Sequence, residues 1–221
     1  VPDYPGAVVN LPILEEAAAG NSSFSFMAER DGVVRRAPLI VRRGNVLLPS
    51  LALEALRVGQ GADSIMVKAV GASGETSYGE HTGIVAVKVG QFVIPTDPFG
   101  RIWVHFAPRE PRRTIPAWKI LEGDVPKADL EGAIAFVGTS AMGLMDLRVT
   151  PTDPVAPGVE VHANIVEQIM LGHSLQRPDW ASGAELLFLL VLGLALIFFL
   201  PRLGAVNNAV VGWYRAIAAA I

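Results

Sequence analysis

The chain alternates short apolar runs with polar turns for most of its length and then changes character abruptly. Residues 186–200 read LLFLLVLGLALIFFL, with no charge and no hydrogen-bonding side chain. Before that run, the blocks 65–70 (IMVKAV), 84–89 (IVAVKV), 92–95 (FVIP) and 102–106 (IWVHF) are of strand length and strand composition, each bounded by glycine or polar residues. Residues 24–43 carry Asp31-Gly32 between two strand-like halves, which predicts a β-hairpin. Ser50 after Pro49 is placed as the N-cap of a helix running through Arg57, and residues 118–121 begin a short helix that stops near Gly123.

Residues 133–137 (AIAFV) form a continuous apolar run, the pattern of a strand buried on both faces in a parallel sheet. A helix begins near Gly158, with Val159, Ala163, Val166 and Met170 at helical spacing and Gly172 as its stop. Strand, loop and helix in that order are half of a βαβ unit. The expected fold class is α/β: a sheet with at least one parallel βα unit flanked by helices, followed by transmembrane helices. The domain is expected over residues 1–180, a transmembrane helix over 184–200, and the start of a second over 205–221.

Hydropathy supports the membrane reading. A spanning helix needs about 20 apolar residues to cross roughly 30 Å of hydrocarbon. Residues 180–200 supply that length, with Trp180 suited to the interface. The run is apolar on every helix face, unlike an ordinary surface helix. Arg202, in the short turn 201–204, favours a cytoplasmic turn and so places residues 1–180 outside. Both ends of the chain read as cut from a longer protein.

Composition narrows the chemistry. A net charge of −3 with scattered arginine pairs gives no basic field for nucleic acid. The absence of cysteine excludes disulfides and thiolate metal sites. The loop 138–157 is the longest irregular stretch, and it offers Thr139, Ser140, Asp146 and Arg148, with Glu160 and His162 on the helix after it. A nucleophilic site would need Ser140, His162 and Asp146 together, which no spacing here demands. Glu160 and His162, two residues apart, fall on different helix faces, which argues against a metal. An Asp146–Arg148 pair locking the loop fits better, and a small-ligand pocket comes next; Gly138 to Ser140 offer backbone N–H groups to an anion but lack the repeated glycines of a phosphate loop. His81, His105, Trp103 and Phe106 read as structural. No cofactor is called for.

Three blocks of sequence resemble one family, the CHASE2 sensor domain of bacterial transmembrane receptors. The first is Asp31-Gly32-Val33-Val34-Arg35-Arg36-Ala37-Pro38-Leu39, and the second is Leu48-Pro49-Ser50-Leu51-Ala52-Leu53. The third combines Val137-Gly138-Thr139-Ser140-Ala141, Asp146, Thr150-Pro151 and Pro157-Gly158-Val159-Glu160-Val161-His162-Ala163. The exit Arg177-Pro178-Asp179-Trp180 into apolar sequence is also similar.

The resemblance implies a non-catalytic, extracytoplasmic (periplasmic) input domain in a multi-pass inner-membrane protein. It also implies a cytoplasmic output module, an adenylate or guanylate cyclase, a histidine kinase or a Ser/Thr kinase. The family's domain begins earlier, with an anchor and further βα units. A homodimer is expected, with an unidentified small molecule or protein as stimulus. Thr139, Ser140, Asp146, Arg148 and His162 are the candidate ligand or loop-locking residues. Arg177, Pro178, Asp179 and Trp180 are the candidate transmission residues. A membrane-anchored assembly domain without ligand, or an extracytoplasmic hydrolase, are the competing readings.

Overall fold

The computed structural model describes residues 1–71, 83–108, 110–141, 143–144, 146–175, 180–199 and 212–213. The elements run in the order α1 (Pro12–Ala17), β1 (Arg36–Pro38), β2 (Ile40–Arg43), β3 (Val46–Pro49), α2 (Leu51–Gly59), β4 (Ile65–Ala69), β5 (Ile84–Val89), β6 (Phe92–Pro95) and β7 (Arg101–Trp103). A 3-10 turn at Pro111–Arg113 follows, then α3 (Ala117–Glu122), α4 (Lys127–Leu130), β8 (Leu147–Arg148), β9 (Ala156–Pro157), α5 (Gly158–Met170) and α6 (Ala181–Phe199). The chain divides into two compact units, Val1–Gln176 and Arg177–Ile221.

The first unit is built on small antiparallel sheets. β4, β5 and β6 form a meander, β2 and β3 a hairpin, and β1 pairs with β7. Helices α2 and α5 pack on each other and on this framework. Leu53 and Leu56 of α2, Val87 and Val89 of β5, and Val161 and Ile165 of α5 are essentially without solvent exposure. Ser50 caps α2 as expected, its hydroxyl accepting from the Leu53 N–H at 3.3 Å. Gly123 ends α3 in the left-handed region at φ +78°, where a side chain would be strained.

Two expectations change. The Asp31-Gly32 turn is present, closed by the Val33 N–H donating to Asp31 Oδ1 at 3.1 Å and the Glu29 N–H donating to Val33 O at 3.0 Å. Its two arms do not form a ladder with each other. The second arm pairs instead with β7, in the register Arg36–Trp103 to Pro38–Arg101. Arg35 and Arg36 both turn back to the carboxylate of Glu29, at 2.9 and 2.8 Å.

The parallel βα unit is the second change. Among the described residues every laddered strand pair is antiparallel, and parallel contacts are single bridges such as Val33–Val149. Residues 133–137 run without assigned secondary structure into the loop, and Val137 is 92% exposed. An apolar run becomes a buried parallel strand only where ladders form on its edges and helices cover its faces. Here no ladder forms. The loop beyond is also less irregular than expected, because β8 and β9 pair within it.

In the second unit, α6 is apolar on all sides, has a mean hydropathy of 2.3 and buries no residue. By length and composition it can cross a membrane. The second apolar stretch, 205–221, and the turn 201–204 lie outside the described residues, apart from Gly212 and Trp213.

Candidate functional site

Helix α5 organises the candidate loop. Val161, Ile165, Val166 and Ile169 recur at helical spacing and seat one face in the core. Its start is crowded. The Gly158 N–H donates to Asp146 O at 2.7 Å, and a Cβ at Gly158 would collide with the Asp146 carboxylate. A Cβ at Gly138 would likewise collide with the Val159 side chain. Gly138 is therefore required by close approach, whereas a side chain at Gly158 would push the Asp146 carboxylate aside; the two contacts bring the loop onto the first turn of α5.

His162 lies one turn further on and is 2% exposed. Its ring is 4.4 Å from the Phe26 ring and 6.5 Å from the Phe136 ring, centroid to centroid. Nε2 is 3.4 Å from Phe24 O, the geometry of a ring N–H donating to a carbonyl, and Nδ1 is buried without a partner. Burial pushes the imidazole pKa down to about 4, only partly offset by the Phe24 contact and the charge of Asp146. It is therefore neutral at ordinary pH.

The other candidates are placed as follows. Thr139 and Ser140 are exposed, and no hydrogen bond reaches either among the described residues. Arg148 Nη2 lies 3.7 Å from Asp146 Oδ1. Nothing links Ser140, His162 and Asp146 into a proton relay, so nucleophilic catalysis has no geometric support among the described residues. They also contain no group of three histidine, aspartate or glutamate side chains able to hold a metal. Of the four transmission candidates, Arg177, Pro178 and Asp179 lie outside the described residues, and Trp180 is 72% exposed beside the start of α6.

Two features escape a reading from sequence. The first is a pair of carboxamides on α5. The Gln168 Nε2–H donates to Trp103 O at 3.0 Å, while Gln168 Oε1 accepts from the His105 N–H at 2.7 Å. One turn earlier, Asn164 Oδ1 accepts from the Ala107 N–H at 3.0 Å. Four helical residues rise about 6.0 Å, and two extended residues advance about 6.6 Å. That near match lets residues on successive turns hold alternate main-chain groups, so α5 serves as the strand neighbour of residues 103–107. The i, i+4 spacing of Asn164 and Gln168 was visible in the sequence, but their partners are too remote in the chain to be.

The second is a cleft of about 1050 Å³. Phe92, Phe106, Phe136, Ile134, Val166 and Met170 give it apolar walls. Gly132 and Ala133, with little or no side chain, bring main chain onto the same wall. Thr139, Ser140, Asp146, Arg148 and His162 do not line it, although Phe136 does so and stacks on His162.

A family model described as the CHASE2 domain matches residues 4–198. No curated protein and no solved structure matches the chain.

Proposed function

Because the chain belongs to the CHASE2 family, whose domains are extracytoplasmic sensors and not catalysts, we propose that it is the input module of a multi-pass receptor of the bacterial inner membrane. In this reading residues 1–180 face the periplasm. A stimulus shifts the domain between two arrangements, and the displacement leaves through Arg177 to Trp180 into α6. The receptor works as a homodimer, and a cytoplasmic cyclase or kinase reads the result. Thr139, Ser140, Asp146 and Arg148 of the loop 138–157, with His162 on α5, are the residues that the stimulus engages or releases.

One observation carries the proposal: the family match, residues 4–198, takes in both the globular unit and nearly all of α6. A sensor and an apolar helix matched as one block favour a joint role. The short sequence between α5 and α6 adds support, because a long flexible linker would dissipate motion.

The chain has no cysteine, so single-cysteine labelling is clean. Ser140→Cys, on an exposed residue, should react with a membrane-impermeant maleimide added outside intact cells. Labelling only after the membrane is opened would reverse the topology. In the full receptor, a Gly/Ser insertion after Trp180 should abolish regulation while leaving basal output, and retained regulation would refute mechanical transmission.

A further inference from the structure

The cleft has aromatic walls and a volume suited to a small molecule. Phe92, Phe106 and Phe136 reach it from segments far apart in the chain, and each packs against the core while staying only partly buried. Leu56 and Val166, both buried, line it as well. Its volume of about 1050 Å³ stands at the top of the range of small-molecule sites, about 300–1,000 Å³, which are mostly apolar.

Most of the polar side chains along the cleft are already engaged within the protein. The Gln60 Nε2–H donates to Leu56 O at 2.9 Å, and Gln60 Oε1 accepts from the Gln91 N–H at 3.1 Å. Asn164 uses its Oδ1 on Ala107, and its Nδ2–H donates to Glu160 O at 2.8 Å. The Thr150 hydroxyl donates to Asp153 O and accepts from the Asp153 N–H, at 2.9 and 3.0 Å. Asp153 Oδ1 accepts from the Val155 N–H, Arg113 pairs with Glu167, and Glu160 is partnered too. Gln91, Glu110, Thr114 and Thr152 complete the polar side chains of the lining, and all four are exposed to water. A ligand therefore meets ring and aliphatic surface, with no unpaired buried polar side chain among the described residues.

We infer that the cleft binds an uncharged, predominantly apolar small molecule with a planar ring system, held between Phe92, Phe106 and Phe136. Removal of apolar surface from water supplies the affinity, and the aromatic walls favour a flat ring over a puckered one. A charge on the ring is penalised, because it would lose water without gaining a partner. Phe136 links the cleft to the loop. Its ring lines the wall and stacks on His162, 6.5 Å away, and it lies two residues before Gly138, which meets the Val159 side chain. A ligand pressing on Phe136 acts on the start of the loop 138–157 and the first turn of α5. As the place of the stimulus, the cleft rests on the sensor reading. Binding is read directly, so its failure leaves that reading intact.

The test uses the whole chain in lipid nanodiscs, with isotope-labelled methionine methyl groups followed by NMR. Met170 lies on the cleft wall, and Met66, exposed and outside the cleft, is the control. Naphthol should shift the Met170 signal saturably and leave Met66 unmoved. Naphthoate and N-methylquinolinium, of the same ring size but charged, should bind more weakly by about tenfold or more. Decahydronaphthol, the saturated and puckered counterpart, should bind about threefold more weakly, because ring-on-ring contacts are lost. Ala163→Trp, which fills the cleft from an exposed position, should weaken naphthol binding by about tenfold or more. The ligand series leaves the protein untouched, so the result does not depend on that variant folding. Four results would overturn the inference: no saturable Met170 shift at millimolar naphthol, equal binding of either charged compound, equal binding of decahydronaphthol, or undiminished binding by a folded Ala163→Trp chain. Self-association of the chain that protects Met170 and shuts naphthol out would assign the cleft to a second copy and overturn it as well.

Discussion

β5 and residues 133–137 have nearly the same composition and opposite fates. IVAVKV lies between β4 and β6, hydrogen-bonded on both edges, with Val87 and Val89 fully buried. AIAFV has no ladder on either edge among the described residues, and Val137 is almost fully exposed. The difference is not in the residues. β5 has strand-forming runs on both sides of it in sequence, β6 after only Gly90 and Gln91 and β4 before it, so both partners are near in the chain and their loops close at modest cost. Residues 133–137 follow two short helices and precede a loop, with no strand-forming run adjacent. They are held by Phe136 stacking on His162 and by Gly138 against Val159. Composition confers the capacity to be a strand, and a neighbour supplies the ladder.

The largest expected contrast comes from placing the same charge in both segments. Val87→Asp should cost more than about 4 kcal/mol and abolish cooperative folding, because the carboxylate would be buried without a partner. Val137→Asp should stay within about 0.5 kcal/mol. Urea unfolding of the two variants measures the contrast, and similar losses would mean that residues 133–137 are buried in solution.

Protonation probes the stacking that replaces the ladder. The folded pKa of His162, about 4, lies below its ordinary 6.5, so the unfolded chain takes up the proton first. Stability should be unaffected by this group above about pH 6.5. It should fall as the pH drops towards 4, by about 3 kcal/mol at most, and then level off. Comparing unfolding midpoints between pH 7 and 4 with those of His162→Gln isolates the effect, since the variant should lack this component. Hydrogen exchange should report opening near Phe136 first.

A smaller effect is expected where α5 replaces a strand. Gln168→Ala leaves the Trp103 carbonyl and the His105 N–H without their partner, costing about 1–3 kcal/mol. Residues 103–107 should then exchange amide protons faster, approaching the condition of residues 133–137. Unchanged exchange at His105 would show that the amide contact is dispensable. Arg113→Ala, which removes an exposed pair with Glu167, should change stability by less than about 1 kcal/mol, less still at high salt, in the same unfolding assay.

Local features were legible in the sequence. The Ser50 cap, the left-handed Gly123, the extent of α5 and the uniform apolarity of α6 depend on residues within a turn or two of each other. The hairpin at Asp31-Gly32 failed because a turn residue fixes the turn and not the partner of its arms, and β1 found β7 instead. The β2–β3 hairpin was hidden because its first arm ends in Arg42 and Arg43, which broke the apolar run before the turn. The reading of the loop as a site brought Asp146, Arg148 and His162 into one neighbourhood, but it gave no hint of the cleft. Its walls come from Phe92, Phe106, Phe136 and Val166, residues far apart in the chain and individually ordinary.

The carboxamide pair on α5 has a consequence for motion. Asn164 and Gln168 mesh with the main chain at 103–107 as teeth with a rack. A rotation of α5 by one residue, about 100°, or a slide of about 1.5 Å moves both amides out of register together. Small continuous drift is therefore resisted. The helix either carries the adjoining chain with it as one piece or disengages from it in a single step.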